Sequence, residues 1–263
     1  MLKKFLTVIT ESGAVGRVYA ALFGWVCMDW LPCKFGVWTV RAHSLDRWLA
    51  VLLADAGSIC SEYKNIVRSG DCIADVGANI GLHTLILAGL VGDKGKVVVF
   101  EPHQKNFESL KNNISENGFN DRVDCVNGAA SDVSCKKKLY VSRHNNGDHH
   151  FYHGENTDLS VEVSVSRLDD RPEHFNVIKI DVQGHEMAVL NGGIEKLKHE
   201  SCRAVIVEIS PKKLQEEQTT PAKIEGFMKT LGFFPSNKTK VEEEYYDIVF
   251  EKISVAKNCV GQD

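Results

Sequence analysis

The chain has 263 residues, 43% of them apolar and 25% charged, which excludes collagenous, coiled-coil and disordered classes and allows a sizeable core. Lys and Arg total 31 against 35 Asp and Glu, a net charge of −4, so no positive field covers the chain and nucleic acid is not the expected partner. Eight scattered cysteines with no Cys-x-x-Cys pair fit neither a disulfide framework nor a zinc site and point to a reduced, cytoplasmic compartment.

Residues 1–60 precede any regular alternation. They read as an extension of helices plus one strand, Val37–Arg41, set against a main domain over residues 61–263. Val18–Pro32 is the most apolar stretch, but Asp29 interrupts it and it is shorter than the roughly 20 apolar residues that span a bilayer. Lys3 and Lys4 precede a short apolar run, yet Glu11 follows early and no small-residue cleavage site appears, so a secretory leader is not expected. Two readings stay open: a helix packed on the main domain or on a second copy in a homo-oligomer, and peripheral membrane contact through residues 1–32.

From residue 70 the pattern alternates. Cys72–Val76, Val97–Phe100, Val123–Val126, Val177–Ile180 and Ala204–Ile209 are short, largely apolar strands. Phe107, Leu110 and Ile114 mark one face of a helix that Gly118 ends. Ile224, Phe227, Met228 and Leu231 repeat that spacing between Thr220–Pro221 and Gly232. Apolar strands alternating with amphipathic helices predict an α/β fold whose mostly parallel sheet is covered on both faces. Residues 136–168 break the rhythm, with strands Lys138–Ser142 and Val161–Val165 flanking a polar loop, Arg143–Asp158, long enough to suggest a task. Tyr246–Phe250 predicts a late strand.

The segment Asp75-Val76-Gly77-Ala78-Asn79-Ile80-Gly81 follows the first strand of the alternation and opens a helix, where open α/β sheets bind ligands. A dinucleotide fingerprint fails, because Asn79 and Leu82 stand where its second and third glycines belong. Instead, Gly77 and Gly81 let backbone approach a small ligand, and Asp75 supplies negative charge near a cationic group. Glu101 ends the next strand, 20 residues beyond Gly81, a spacing that suits a carboxylate on two ribose hydroxyls. As an acid at a helix start, it also has a purely structural explanation.

Together with Val177–Ile180-Asp181-Val182-Gln183-Gly184-His185-Glu186 and Ala204–Ser210, these motifs resemble the FkbM family of S-adenosylmethionine-dependent methyltransferases, from about Ser69 to Ser210. The resemblance implies a Rossmann-like class I methyltransferase fold: a seven-stranded, mostly parallel sheet with the last strand antiparallel, a slot that Tyr246–Phe250 fits. It implies S-adenosyl-L-methionine as cofactor and S-adenosyl-L-homocysteine as product. Asp75, Gly77, Ala78, Asn79 and Gly81 match the loop that holds the methionine part, and Glu101 matches the ribose ligand. Asn127 and Ala129 end the third strand, where related enzymes contact adenine, often through an Asp that this chain lacks there.

Asp181, at the end of its strand, sits at the lip of the same cleft and counts as both a catalytic and a cofactor-side candidate. Glu186, His185 and the loop histidines His149 and His150 complete the candidates for a base that removes a hydroxyl proton. Each has a structural alternative: a helix cap for Asp181, a dipole acid for Glu186, a buried or solvated ring for His185. Lys179 in an apolar strand invites an ion pair with an acid such as Glu208. No His or Asp spacing is diagnostic of a metal, and none is expected.

The expected reaction is O-methylation of a hydroxyl on a small molecule, sugar, glycan or lipid, an acceptor class implied by the resemblance. Two rivals stay open: N-methylation of a protein or nucleic acid, and a cofactor-binding module that serves as an interaction subunit. No Asn/Asp-Pro-Pro-Tyr box supports the first, and the joint presence of Asp75, Glu101 and Asp181 argues against the second.

Overall fold

The structure, a computed structural model, describes residues 31–35, 38–42, 61–142, 147–153, 159–240 and 245–253. The helices expected over residues 1–60 and the apolar segment Val18–Pro32 lie largely outside the described residues. Within that region the strand expected at Val37–Arg41 is β2 (Trp38–Ala42), paired with an unexpected antiparallel partner, β1 (Leu31–Phe35).

Seven strands form the main sheet: β3 (Cys72–Val76), β4 (Lys96–Phe100), β5 (Val123–Val126), β9 (Val177–Ile180), β10 (Ala204–Ile209), β11 (Phe233–Lys240) and β12 (Tyr246–Lys252). Their order across the sheet is β11-β12-β10-β9-β3-β4-β5. Strands β10, β9, β3, β4 and β5 pair parallel in that order, and β12 runs antiparallel to both β10 and β11. The last strand is thus antiparallel, as expected from Tyr246–Phe250. Strand β11 was not foreseen, because Phe233 to Lys240 neither alternates nor stays apolar and contains Pro235. Pro235 is accommodated on the sheet edge beside a bulge, where no ladder donor is required of it.

Strand side chains bury on both faces, as a parallel sheet demands. Ile73, Val97, Val99, Val177 and Ile206 meet α1 (Leu82–Val91) and α2 (Gln104–Glu116) on one face. Val76, Val98, Ile178, Val205 and Ile248 meet α3 (Glu186–Gly192), α4 (Ile194–Lys198), α5 (Pro211–Glu216) and α6 (Pro221–Thr230) on the other. The predicted start of α6 holds: Thr220 Oγ1 accepts from Lys223 N at 3.3 Å, with Pro221 at the first helical position.

A second sheet, ordered β6-β8-β7, grows beside β5 from β6 (Ala129–Ala130), β7 (Cys135–Tyr140) and β8 (Ser160–Ser166). Strand β7 begins earlier than the predicted Lys138–Ser142, because its solvent-facing positions are lysines that break the apolar signal. An antiparallel bridge between Tyr140 and His150 folds the connecting loop back onto β7. Among the described residues no helix is long and apolar enough to cross a membrane.

At the strands' amino-terminal end, a polar clamp ties three strands together. Arg203, just before β10, pairs with Asp71, just before β3, through both guanidinium nitrogens, and its Nη2 also donates to Ile66 O at 2.8 Å. Asn176 Oδ1, before β9, accepts from Cys72 N at 2.8 Å. Asp71→Ala should leave the guanidinium without its carboxylate and cost about 2–3 kcal/mol. Urea unfolding of wild type and variant checks this, and a loss below about 0.5 kcal/mol would show the clamp to be dispensable.

Candidate active site

The turn after β3 is built for close approach. Gly77 has φ +85°, and both its amide and that of Ala78 donate to Phe100 O, at 3.0 and 3.1 Å. A Cβ at Gly77 would lie 1.8 Å from the Asp181 carbonyl oxygen, so only glycine lets this turn meet the end of β9. Asn79 (φ +52°) and Gly81 (φ +95°) complete the turn into α1, and Asn113 Nδ2 donates to Ile80 O at 2.7 Å to hold it.

Two carboxyl groups flank this turn. Glu101 is buried, with Asn79 N 2.9 Å from Oε2, His103 N 2.8 Å from Oε1, and a further hydrogen bond from the Asn106 side chain. Burial outweighs these donors and pushes its carboxyl up to about 7. Asp75 lies wholly out of solvent beneath the turn. Thr84 Oγ1 donates to its Oδ2 at 2.6 Å, and Lys179 Nζ lies 3.8 Å from Oδ1, which accepts no hydrogen bond. Burial raises this carboxyl too, against the pull of Lys179 and Thr84.

At the end of β9, Asp181 accepts from Lys179 Nζ at 3.2 Å and from Gln183 Nε2 at 2.7 Å. Burial alone would raise Asp181, but the Lys179 ammonium and a hydrogen bond from Glu208 hold it at about 2. Glu208 correspondingly keeps its proton, because burial and the Asp181 charge push it well above the ordinary range. Lys179 therefore pairs closely with Asp75 and Asp181, and the expected partner Glu208 adds to its field from farther away.

Gly77, Asn79, Glu101, Ala129, His149 and Asp181 line one cleft at the carboxyl ends of the strands. Leu139 and Phe151 form apolar walls that sequence reasoning did not single out. His149 accepts from Ser142 N at Nδ1 (3.2 Å), while its Nε2 is buried without a partner, as is Asn79 Oδ1. Burial, with His103 edge-on at 4.2 Å, lowers the His149 ring to about 3, so it is neutral. His150 points elsewhere, its Nδ1 on Tyr152 O at 2.8 Å.

The remaining candidates lie off the cleft lining. Ala78 packs in the core and Gly81 sits at the head of α1, where an added Cβ would meet Leu110 Cδ1 at 2.7 Å. Asn127 is exposed and bonds to Gln104. Glu186 is buried at the start of α3, its Oε1 3.0 Å from Gly184 N. His185 Nε2 meets Ser131 Oγ at 3.0 Å and its Nδ1 lies 3.5 Å from Glu217, which fastens the second sheet to the segment after β9. Among the described residues, no three His, Cys, Asp or Glu side chains gather to hold a metal ion.

The family model described as "Methyltransferase FkbM domain" matches residues 75–235. Similar curated proteins include the hexuronic acid methyltransferase AglP of Haloferax volcanii, 32% identical over 147 residues, which are 53% of this chain and 56% of AglP. Another is the 31-O-demethyl-FK506 methyltransferase FkbM of Streptomyces tacrolimicus, 28% identical over 178 residues, 54% of this chain and 66% of that protein. The chain thus spans between about half and two thirds of the length of these relatives. Among solved structures, the putative transferase PH0793 of Pyrococcus horikoshii shares the fold at a TM-score of 0.51, 15% identity, and 90% and 81% coverage of this chain and that one.

Glu101 provides a test with two opposite signs. Its folded carboxyl titrates near 7 and its unfolded one near 4.5, so the unliganded folded state loses stability as pH rises through that window. Glu101→Gln should therefore gain stability relative to wild type between pH 4.5 and 7, then level off. The same variant should bind S-adenosylhomocysteine tenfold or more weakly, roughly the loss of one charge-assisted hydrogen bond. Denaturant unfolding across pH and calorimetric titration read the two effects; near-native affinity would remove Glu101 from the site.

Proposed function

The chain belongs to the FkbM methyltransferase family, and we propose on that premise that it transfers the methyl of S-adenosylmethionine to a hydroxyl oxygen of a small molecule, sugar or glycan. The observation that carries this reading is the convergence of the Gly77 turn, the buried Glu101 and Asp181 on one cleft. The relative named for a 31-O-demethyl acceptor supports oxygen as the methylated atom, and the one named for hexuronic acid supports a sugar-class acceptor.

The residues present fit the cofactor. Each Glu101 oxygen already takes one amide and has capacity for another donor, which suits two neighbouring ribose hydroxyls. Asn79 Oδ1 and His149 Nε2 are a buried acceptor and a buried donor without partners in residues that line the cleft, and they suit the polar edges of a ligand. The missing Cβ at Gly77 lets the turn pack against the Asp181 carbonyl, and Asp75 beneath it sets a negative potential for a cationic group. When bound, S-adenosylmethionine supplies an electrophilic methyl whose departure leaves the electron pair on sulfur.

What the chain itself must do is align the acceptor oxygen and receive its proton. Asp181, kept ionised by Lys179, is the hydrogen-bond acceptor in the cleft for that hydroxyl. His149 contributes a neutral N–H and a wall, while His185 and Glu186 hold the segment after β9 in place.

Calorimetry with S-adenosylmethionine, S-adenosylhomocysteine and NAD should show micromolar binding of the two sulfur nucleosides and none of NAD. Asp181→Asn should keep the fold and the affinity for S-adenosylhomocysteine and lower turnover on hydroxylated acceptors by about 10²-fold. Failure to bind either sulfur nucleoside would overturn the reading; unchanged turnover in the variant would remove Asp181 from it.

A further inference from the structure

Behind Asp181 the sheet carries two carboxyl groups, Glu208 and Asp247, that the proposed methyl transfer leaves without a task. Lys179 on β9, Glu208 on β10 and Asp247 on β12 all rise on the face that Asp75 shares, toward the cleft end of the strands. Glu208 hydrogen-bonds to Asp181, and Gln183 Nε2 spans both, 2.7 Å from Asp181 Oδ1 and 2.9 Å from Glu208 Oε2. Across the strand pair, Glu208 stands directly opposite Asp247, near the beginning of β12 and partly open to solvent. A continuous series of carboxyl groups therefore runs from the cleft to the surface.

Resting on the methyltransferase reading, we propose that Asp181, Glu208 and Asp247 form a path carrying the acceptor's hydroxyl proton from the cleft to solvent. Lys179 is the fixed internal cation that holds Asp181 ready to receive it. Glu208 and Asp247 act through Asp181 and are positioning residues.

The chemistry explains why three groups are needed. An aspartate held as acidic as Asp181 is by itself a weak base. Its neighbour Glu208 holds a proton to pass on, and Asp247, raised to about 7 by burial and by the Asp181 charge, exchanges protons near neutrality. The balance closes: the acceptor O–H bond breaks and Asp181 gains the proton while Glu208 gives its own to Asp247. Asp247 then releases one proton to water, and Asp181 returns its proton to Glu208. Other charged and titratable groups facing the row are Asp75 from β3, His83 from α1, Glu62 and Tyr63 from residues 61–66, and Lys213, which bonds to Gln183.

The test uses the full chain and the isosteric variants Glu208→Gln and Asp247→Asn. Both should bind S-adenosylhomocysteine within about threefold of wild type and lower kcat about tenfold or more on a hydroxylated acceptor that wild type methylates. Wild-type kcat should rise with pH through about 7, and Asp247→Asn should abolish that rise. A kcat reduced by one factor at every pH would indicate a structural role and overturn the path. Carboxyl-carbon NMR of Asp- and Glu-labelled protein decides without any acceptor. One glutamate should stay protonated above neutrality and be missing from Glu208→Gln, and one aspartate should titrate near 7 and be missing from Asp247→Asn. Ordinary titration of both groups would sink the proposal, whereas loss of S-adenosylhomocysteine binding by wild type would overturn the methyltransferase reading instead.

Discussion

A lysine enclosed within the sheet sets the terms for the cleft. Lys179 is 5% exposed on β9, between β3 and β10, and an unpaired ammonium in such a place costs several kcal/mol. The chain answers with Asp75 one strand away in register and Asp181 two residues on. Those partners require the turn after β3 to stay against the end of β9. Gly77 makes that contact sterically feasible, since any side chain there would enter the Asp181 carbonyl. Charge pairing and the glycine turn are one constraint met from two directions. The same pairing makes Asp181 acidic and leaves the proton on Glu208.

The two ends of the strands are finished differently. At the amino-terminal end, Arg203, Asp71 and Asn176 engage one another and the backbone across three strands, which is the signature of a structural anchor. At the carboxyl end, Asn79 Oδ1 and His149 Nε2 are buried without hydrogen-bond partners, and Asn79 takes a left-handed conformation without being glycine. Unpartnered groups thus line the cleft, while paired ones hold the opposite end of the strands.

Much of this was legible in the chain itself. The buried strands β3, β4, β9 and β10 announced themselves as apolar runs, and Gly77 and Glu101 followed from their positions at strand ends. Edge elements were harder, because β11 pairs on one side only and needs neither alternation nor the absence of proline. Within the site, Asp181 and Glu186 look alike in sequence, two acids five residues apart beyond the same strand. Their difference arises in three dimensions: Asp181 turns toward Lys179 in the cleft, while Glu186 folds back onto Gly184 N. Asp247 carried a faint signal, an acid between Tyr246 and the apolar run Ile248–Phe250, whose meaning depends on a register that periodicity cannot supply.

The side sheet has a consequence for how this scaffold can diversify. Its two long strands are locked in register from Cys135 opposite Val165 to Tyr140 opposite Ser160, and β6 joins β8 to the segment following β5. The ends of the connection between β7 and β8 are thereby pinned independently of what lies between them. Because loop-closure entropy grows only slowly with length, a longer connection between those pinned ends costs little. The wall that Gly147, His149 and Phe151 give the cleft can thus change as an exchangeable cassette on an unchanged frame.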